Sequence, residues 1–284
     1  VEELEKLVED LARRALEEDA VRIDKTTLLL VDERLTGLAS IRAKSEGTIS
    51  GHEAAAAVFR LVDRSLEYEP VAANGSSVET GDEVANVTGR LSSVLSAERT
   101  ALNFLQHLSG VATLAAGFVE RVKGSGIVIL DTRKTVPGLR MLEKRAVVHG
   151  GGSNHRIDLG GMMLVKENHI TAAGGLAAVV EKLGAAGLRE AEIEVTSIEE
   201  LRMLERTPPR RVMLDNFSPG MLEEALDELK LWGDDAPEVE VSGGITLQTV
   251  TGFARPGVDF ISVGSITSSA PALDLSLKIE KVST

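Results

Sequence analysis

The stretch DTRKTVPGLRMLEKRAVVHGGGSNHR, Asp131 to Arg156, carries Arg133, Lys134, Arg140, Lys144, Arg145 and Arg156, with Glu143 the one acid after Asp131. The whole chain is formally −13, so this basic island runs against its background. Like charges held together repel, and a polyanionic ligand offsets that repulsion. The arginine fork matches a planar carboxylate or phosphate with two hydrogen bonds. Each charge-assisted bond contributes roughly 1.5–3 kcal/mol, so three such contacts would hold a small dicarboxylate well. A solvated basic surface is the alternative. The apolar run GIVIL before the island and the glycine-rich loops around it favour an organised site.

Arg133, Lys134, His155 and Arg156 are the candidate anion clamp. His155 alone would read as a structural histidine; beside Arg156, after GGGSN, it reads as a donor. Lys166 follows the apolar run MMLV, where it either snorkels outward or points into a site. Glu194 and Asp215 close the runs AEIEV and RVML; they either pair with the basic island or hold Mg²⁺, which takes one or two carboxylates and completes its shell with water and phosphates. Ser242-Gly243-Gly244 and Gly264-Ser265 follow the last two apolar runs. Each is a weak signal, but together they resemble a backbone phosphate cradle. His107, His149 and His169 lack metal-ligand spacing, and there is no Walker sequence, no GxGxxG after a strand and no GxSxG elbow.

These residues need a frame. From Ser96 the pattern predicts a long helix, SAERTALNFLQHLSGVATLAAGFVERVKG, and then the strands GIVIL, MMLV, AEIEV, RVML, EVEV and VDFISV separated by helix-length segments. Strands alternating with helices imply a parallel sheet, and this many in series favour a barrel. All six runs end in polar residues or glycine, where a (β/α) barrel builds its active site. Before about Arg90 the pattern is mixed: an opening amphipathic helix, a β run TLLLV, a half-exposed strand in TGLASIRAKSEGTISG, a helix HEAAAAVFRLVDRSL, and short strands broken by ANGSS, TGD and TGR. Lipoyl and biotinyl carriers use similar short strands, but no lysine sits at a hairpin tip. The expected fold is α/β: a mixed α/β N-terminal domain over 1–110, an incomplete (β/α) barrel over 111–270, and a segment 271–284 that packs back on the first domain.

The 284 residues are 43% apolar but 3% aromatic, so the core must be built from Leu, Val, Ile and Ala. Acidic overall charge argues against nucleic-acid binding. The absence of cysteine excludes disulfides and thiolate chemistry. With no hydrophobic signal core and no apolar run read as long enough to span a bilayer, the expectation is a soluble, cytoplasmic protein without membrane partners.

The collinear blocks AERTALNFLQHLSGVAT, DTRKTVPGLR, EKRAVVHGGGSNHR, LVKENHI, EIEVTSIEEL, LDNF, VSGGIT and VDFISVGSIT resemble the quinolinate phosphoribosyltransferase family. The resemblance implies an enzyme of NAD synthesis that converts quinolinate and phosphoribosyl pyrophosphate to nicotinate mononucleotide, carbon dioxide and pyrophosphate. It also implies a seven-stranded incomplete barrel and a head-to-tail homodimer, with further assembly open. Arg133, His155 and Arg156 would bind the quinolinate carboxylates, and Arg99 would reach the neighbouring subunit's site, as would Lys44. Lys134 and Lys166 would lie between the two substrates. Glu194 and Asp215 would hold the ribose hydroxyls and Mg²⁺. Ser242, Gly243, Gly244, Gly264 and Ser265 would cradle the 5′-phosphate. Two departures stand out. The family commonly reads GD-x-TT where this chain has RIDKTT, and it often has a basic or histidine residue at Ser268, whose loss would remove a phosphate or pyrophosphate contact. Rival readings are a molybdenum-transport-associated relative and a non-catalytic anion-binding homodimer.

Overall fold

Alternating small apolar and polar residues from Thr36 to Ala43 form a strand that buries one face, the pattern expected of a sheet with one side on a core. The computed structural model describes residues 2–283 and falls into two units: Val1–Ala116 with Thr135–Gly151 and Ile266–Thr284, and Gly117–Lys134 with Gly152–Ser265. In the first unit, β1 (Thr36–Ala43), β3 (Glu67–Pro70), β5 (Glu83–Arg90) and β12 (Leu275–Ser283) make an antiparallel sheet in the order β12-β1-β5-β3. The two-residue strands β2 (Gly47–Thr48) and β4 (Ser77–Val78) pair separately. Helix α1 (Glu2–Glu18) packs on α3 (His52–Val62), burying Val8 and Ala12.

The run TLLLV, expected as a strand, is instead the short helix α2 (Lys25–Leu30). Asp24 decides this: its carboxylate accepts the Thr27 N–H at 3.0 Å and caps the first turn. Leu28, Leu29 and Leu30 remain exposed. Helix α4 (Leu91–Arg121) begins before Ser96 and runs 31 residues. It is, contrary to expectation, long and apolar enough to cross a membrane, yet half of its apolar window is buried within the protein, including Leu102, Leu105 and Leu108.

In the second unit six short strands are all parallel: β6 (Val128–Leu130), β7 (Met163–Val165), β8 (Ala191–Val195), β9 (Arg211–Asp215), β10 (Glu238–Ser242) and β11 (Phe260–Ser262). Their order is β6-β11-β10-β9-β8-β7, so the last strand lies beside the first, as in a barrel. The sheet does not close. In place of a seventh strand, a single parallel bridge joins Ser153 to Leu130 on the outer side of β6. Connections run through α6 (Glu167–Ala173), α7 (Leu176–Leu188), α8 (Ile198–Arg202), α9 (Pro219–Leu231) and α10 (Val250–Phe253), while α5 (Arg140–His149) belongs to the first unit and α11 (Ser265–Ser268) starts at the unit boundary. Ile129, Leu164, Val165, Ile193, Val212, Leu214, Val241 and Ile261 are buried, which anchors every strand by branched aliphatic side chains.

Candidate active site

In a strand, residues two apart face the same side. At the C-terminal end of each strand from β7 to β11 that rule puts two residues on one side. Lys166, Glu194, Asp215, Ser242 and Gly264 are the end residues, and Leu164, Glu192, Met213, Glu240 and Ser262 are the lower ones two positions before them. A cavity of ≈ 300 Å³ opens here, and four of the lower residues (Leu164, Met213, Glu240 and Ser262) line it. So do Arg133, Lys134, His155, Arg156, Lys166, Asp215 and Ser242 from the sequence-derived set.

Asp131, fully buried just past β6, organises the basic loops. Its Oδ1 accepts the His155 N–H at 2.9 Å and its Oδ2 accepts Asn154 Nδ2 at 2.7 Å. One carboxylate thus pins the NHR segment to the strand that launches Arg133 and Lys134. The His155 ring is engaged by protein on both sides. Nδ1 accepts the Arg156 N–H at 2.8 Å, and Nε2 lies 3.1 Å from Glu192 Oε2 and 3.6 Å from Glu240 Oε2. Arg156 Nη1 donates to the Met162 carbonyl at 3.3 Å, and both burial and the neighbouring Arg133 charge lower its pKa. The Nε of Arg133 is buried without a protein acceptor. A buried guanidinium N–H is seldom left unpaired, so this one marks where an anion would be held.

Across the cavity, Lys166 Nζ contacts Glu194 Oε2 at 2.6 Å, and Glu194 Oε1 accepts the Glu167 N–H at 3.3 Å. Lys166 heads α6, its N–H capped by His169 Nδ1 at 3.0 Å, which gives that histidine a structural role. Burial and then the Glu194 charge raise the pKa of Asp215, whose Oδ2 accepts Asn216 Nδ2 at 2.6 Å. Beyond β10, Gly243 and Gly244 have φ of 92° and 60°, a left-handed backbone that glycine adopts without strain. A side chain at Gly243 would run into Asn216, and one at Gly264 would press on Lys134. The Ser242 and Ser262 hydroxyls are joined at 2.9 Å.

Glu194 is therefore tied to the cavity through Lys166, and Gly264 through its packing against Lys134. Arg99 and Lys44 are exposed residues of the first unit. Ser265 opens α11, and Ser268, at its end, bonds Ser269 at 3.2 Å. Sequence reasoning missed the lower residues. Glu192 and Glu240 are both 0% exposed, each with an oxygen lacking a protein partner. Arg211 donates to Glu240 Oε2 at 3.1 Å while its guanidinium lies 3.8 Å over the Phe260 ring. Burial and the Glu192 charge push Glu240 up to about 7. The signal was present: AEIEV and EVEVS repeat an acid or hydroxyl at the strand period, so Glu192 and Glu240 must share a side with Glu194 and Ser242.

An open parallel sheet whose C-terminal strand ends surround a cation-lined cavity defines an incomplete α/β-barrel protein. The comparisons narrow this. The family models described as quinolinate phosphoribosyl transferase, N-terminal domain and C-terminal domain match residues 24–109 and 111–278. The chain is 38% identical over 239 residues to a probable carboxylating nicotinate-nucleotide pyrophosphorylase of Synechocystis sp., covering 84% of this chain and 81% of that protein. It is 37% identical over 287 residues to quinolinate phosphoribosyltransferase [decarboxylating] 1b of Nicotiana tabacum, covering 94% and 80%. Among solved structures it resembles the nicotinate-nucleotide pyrophosphorylase of Francisella tularensis with a TM-score of 0.86, 36% identity and 97% coverage of both chains. The chain belongs to the quinolinate phosphoribosyltransferase family. These relatives favour that chemistry over the molybdenum-associated reading.

Proposed function

We propose that this chain transfers the phosphoribosyl group of phosphoribosyl pyrophosphate to quinolinate, with loss of carbon dioxide and pyrophosphate, and so forms nicotinate mononucleotide for NAD synthesis. The carrying observation is the cavity itself. Arg133, Lys134, Arg156 and Lys166 converge on ≈ 300 Å³, and the buried Arg133 Nε has no protein acceptor. A planar dicarboxylate suits that set: Arg133 and Arg156 take its carboxylates, and His155 shapes the wall between them. Lys134 and Lys166 stand between the two substrates, and Ser242, Gly243, Gly244, Gly264 and Ser265 receive the 5′-phosphate.

The pyridine nitrogen is already a neutral nucleophile, so positioning is the main task and no general base is required. As it attacks C1 of the ribose and pyrophosphate departs, positive charge grows on the sugar, where Glu194 and Asp215 favour it. Negative charge grows on the leaving group, which Lys134 and Lys166 face. When the adjacent carboxylate leaves as carbon dioxide, its electron pair stays on the ring carbon, stabilised by the positive charge of the neighbouring ribosylated nitrogen, and that carbon then takes up a proton.

Glu194 and Asp215 also fit Mg²⁺: they are hard oxygen donors close enough to repel one another, and a divalent ion relieves that repulsion. Bound with the pyrophosphate oxygens, the ion would supply charge against the leaving group.

The active form in this reading is a homodimer acting in the cytoplasm, with Arg99 and Lys44 offered to the partner's site. Exposed Ile23, Leu28, Leu29 and Leu30 supply an apolar patch of the kind that associates. The first test supplies phosphoribosyl pyrophosphate and Mg²⁺ with either quinolinate or nicotinate, following mononucleotide and carbon dioxide together. Equal yields of both products from quinolinate alone are expected. Bound quinolinate without turnover would instead favour a non-catalytic anion-binding protein.

A further inference from the structure

Two buried carboxylates and one arginine beneath the cavity are more than packing requires. Replacing such groups by apolar side chains is often neutral or stabilising, whereas breaking them singly leaves a charge stranded. Glu192 and Glu240 each keep an unpartnered buried oxygen, so the cluster is not optimised for stability. It is linked upward through the His155 ring, and separately through Ser262, which bonds both Glu240 and Ser242.

The His155 link has a defined sense. With Nδ1 accepting the Arg156 N–H, the proton of a neutral ring must lie on Nε2, facing Glu192. The other tautomer would set two N–H groups against each other at Nδ1, and a flipped ring would lose both bonds. Of the clamp residues, Arg156 follows His155 directly, so its backbone register fixes where its guanidinium reaches into the cavity.

We infer that Glu192, backed by Glu240 and Arg211, is a positioning residue for the carboxylate clamp: it holds the His155 imidazole as the Nε2–H tautomer, and Nδ1 thereby fixes the start of Arg156. Arg211 keeps the pair in place by holding Glu240 Oε2 from β9 and stacking on Phe260. The kinetic consequence rests on the quinolinate reading given above; the ring state does not.

The test compares wild type, Glu192→Ala and Glu192→Gln. Glutamine keeps an oxygen that can accept from Nε2–H, so ¹⁵N NMR of the histidines should show His155 as Nε2–H in wild type and Glu192→Gln, and as mixed tautomers in Glu192→Ala. In kinetics, Glu192→Ala should raise the KM for quinolinate about tenfold or more, as loss of one charge-assisted bond implies, with the KM for phosphoribosyl pyrophosphate within about twofold and Glu192→Gln within about threefold of wild type. If the alanine variant does not fold, Glu192→Asp, which withdraws the carboxylate by one methylene, should show the same split. An unchanged His155 tautomer in Glu192→Ala, or both KM values rising together, overturns the assignment. If wild type fails to turn over quinolinate, the functional reading falls while the NMR comparison still decides the positioning role.

Discussion

Glu240 is the residue at which burial and like charge act together. Glu192 on β8, His155 on the loop after β6 and Arg211 on β9 are the titratable and charged groups that face it. Its folded pKa, pushed up to about 7, lies above the ordinary glutamate value of 4.5, so its protonated form is favoured by folding. The stability this contributes is fully present below 4.5 and is lost as pH rises through 7. Relative to Glu240→Gln, wild type should therefore be more stable at pH 5 than at pH 8, by up to about 3 kcal/mol. Thermal unfolding of both proteins at the two pH values checks this, and parallel curves would refute it. At this scale the sequence was informative about charge type and strand position. Arg133, Lys166 and Asp215 could be singled out because each ends or follows an apolar run. Asp131 also follows such a run and Glu192 carries the strand period, but their roles, like that of Arg211, depend on which loop or strand lies opposite, and local sequence does not encode that.

The strand ends were legible as elements because short apolar runs with polar termini recur in order, and β6 to β11 carry them. Helix α2 was not, since three consecutive leucines mimic a strand and only the Asp24 cap reveals the turn. The seventh barrel position was hidden for a different reason: the bridge at Ser153 is held by backbone bonds to Ile129 and Asp131, and backbone bonds carry no composition signal. The turn after β10 gives a sharper expectation. Gly243→Ala forces a side chain into the left-handed region and toward Asn216. A cost of about 1–2 kcal/mol follows from the backbone alone. The KM for phosphoribosyl pyrophosphate should rise about tenfold, beyond any effect on quinolinate, because the displaced backbone is the proposed phosphate cradle. A lowered melting temperature with unchanged KM would show that the turn is structural only.

For the whole molecule, the proposed homodimer, with each site completed by Arg99 of the second subunit, makes a quantitative demand. Arg99→Ala and Arg133→Ala homodimers should each be nearly inactive. Mixed and allowed to exchange, they yield half heterodimers, each with one intact site, so activity should recover to about a quarter of wild type. No recovery, with exchange verified by mass, would place Arg99 outside a shared site.

The edge position of β12 also bears on how the protein is made. Ser40 and Glu280, joined at 2.9 Å, are separated by 240 residues of chain. β1 pairs with β5 on one side soon after synthesis, but its other edge waits for β12. At about 5–20 residues per second on the ribosome, that interval is roughly 10–50 s. Throughout it, the nascent N-terminal unit presents an unpaired strand edge to its neighbours. Slowing translation downstream of α4 would lengthen this exposure, so synonymous codon choice over the barrel-coding region should govern the yield of soluble protein without changing a single residue.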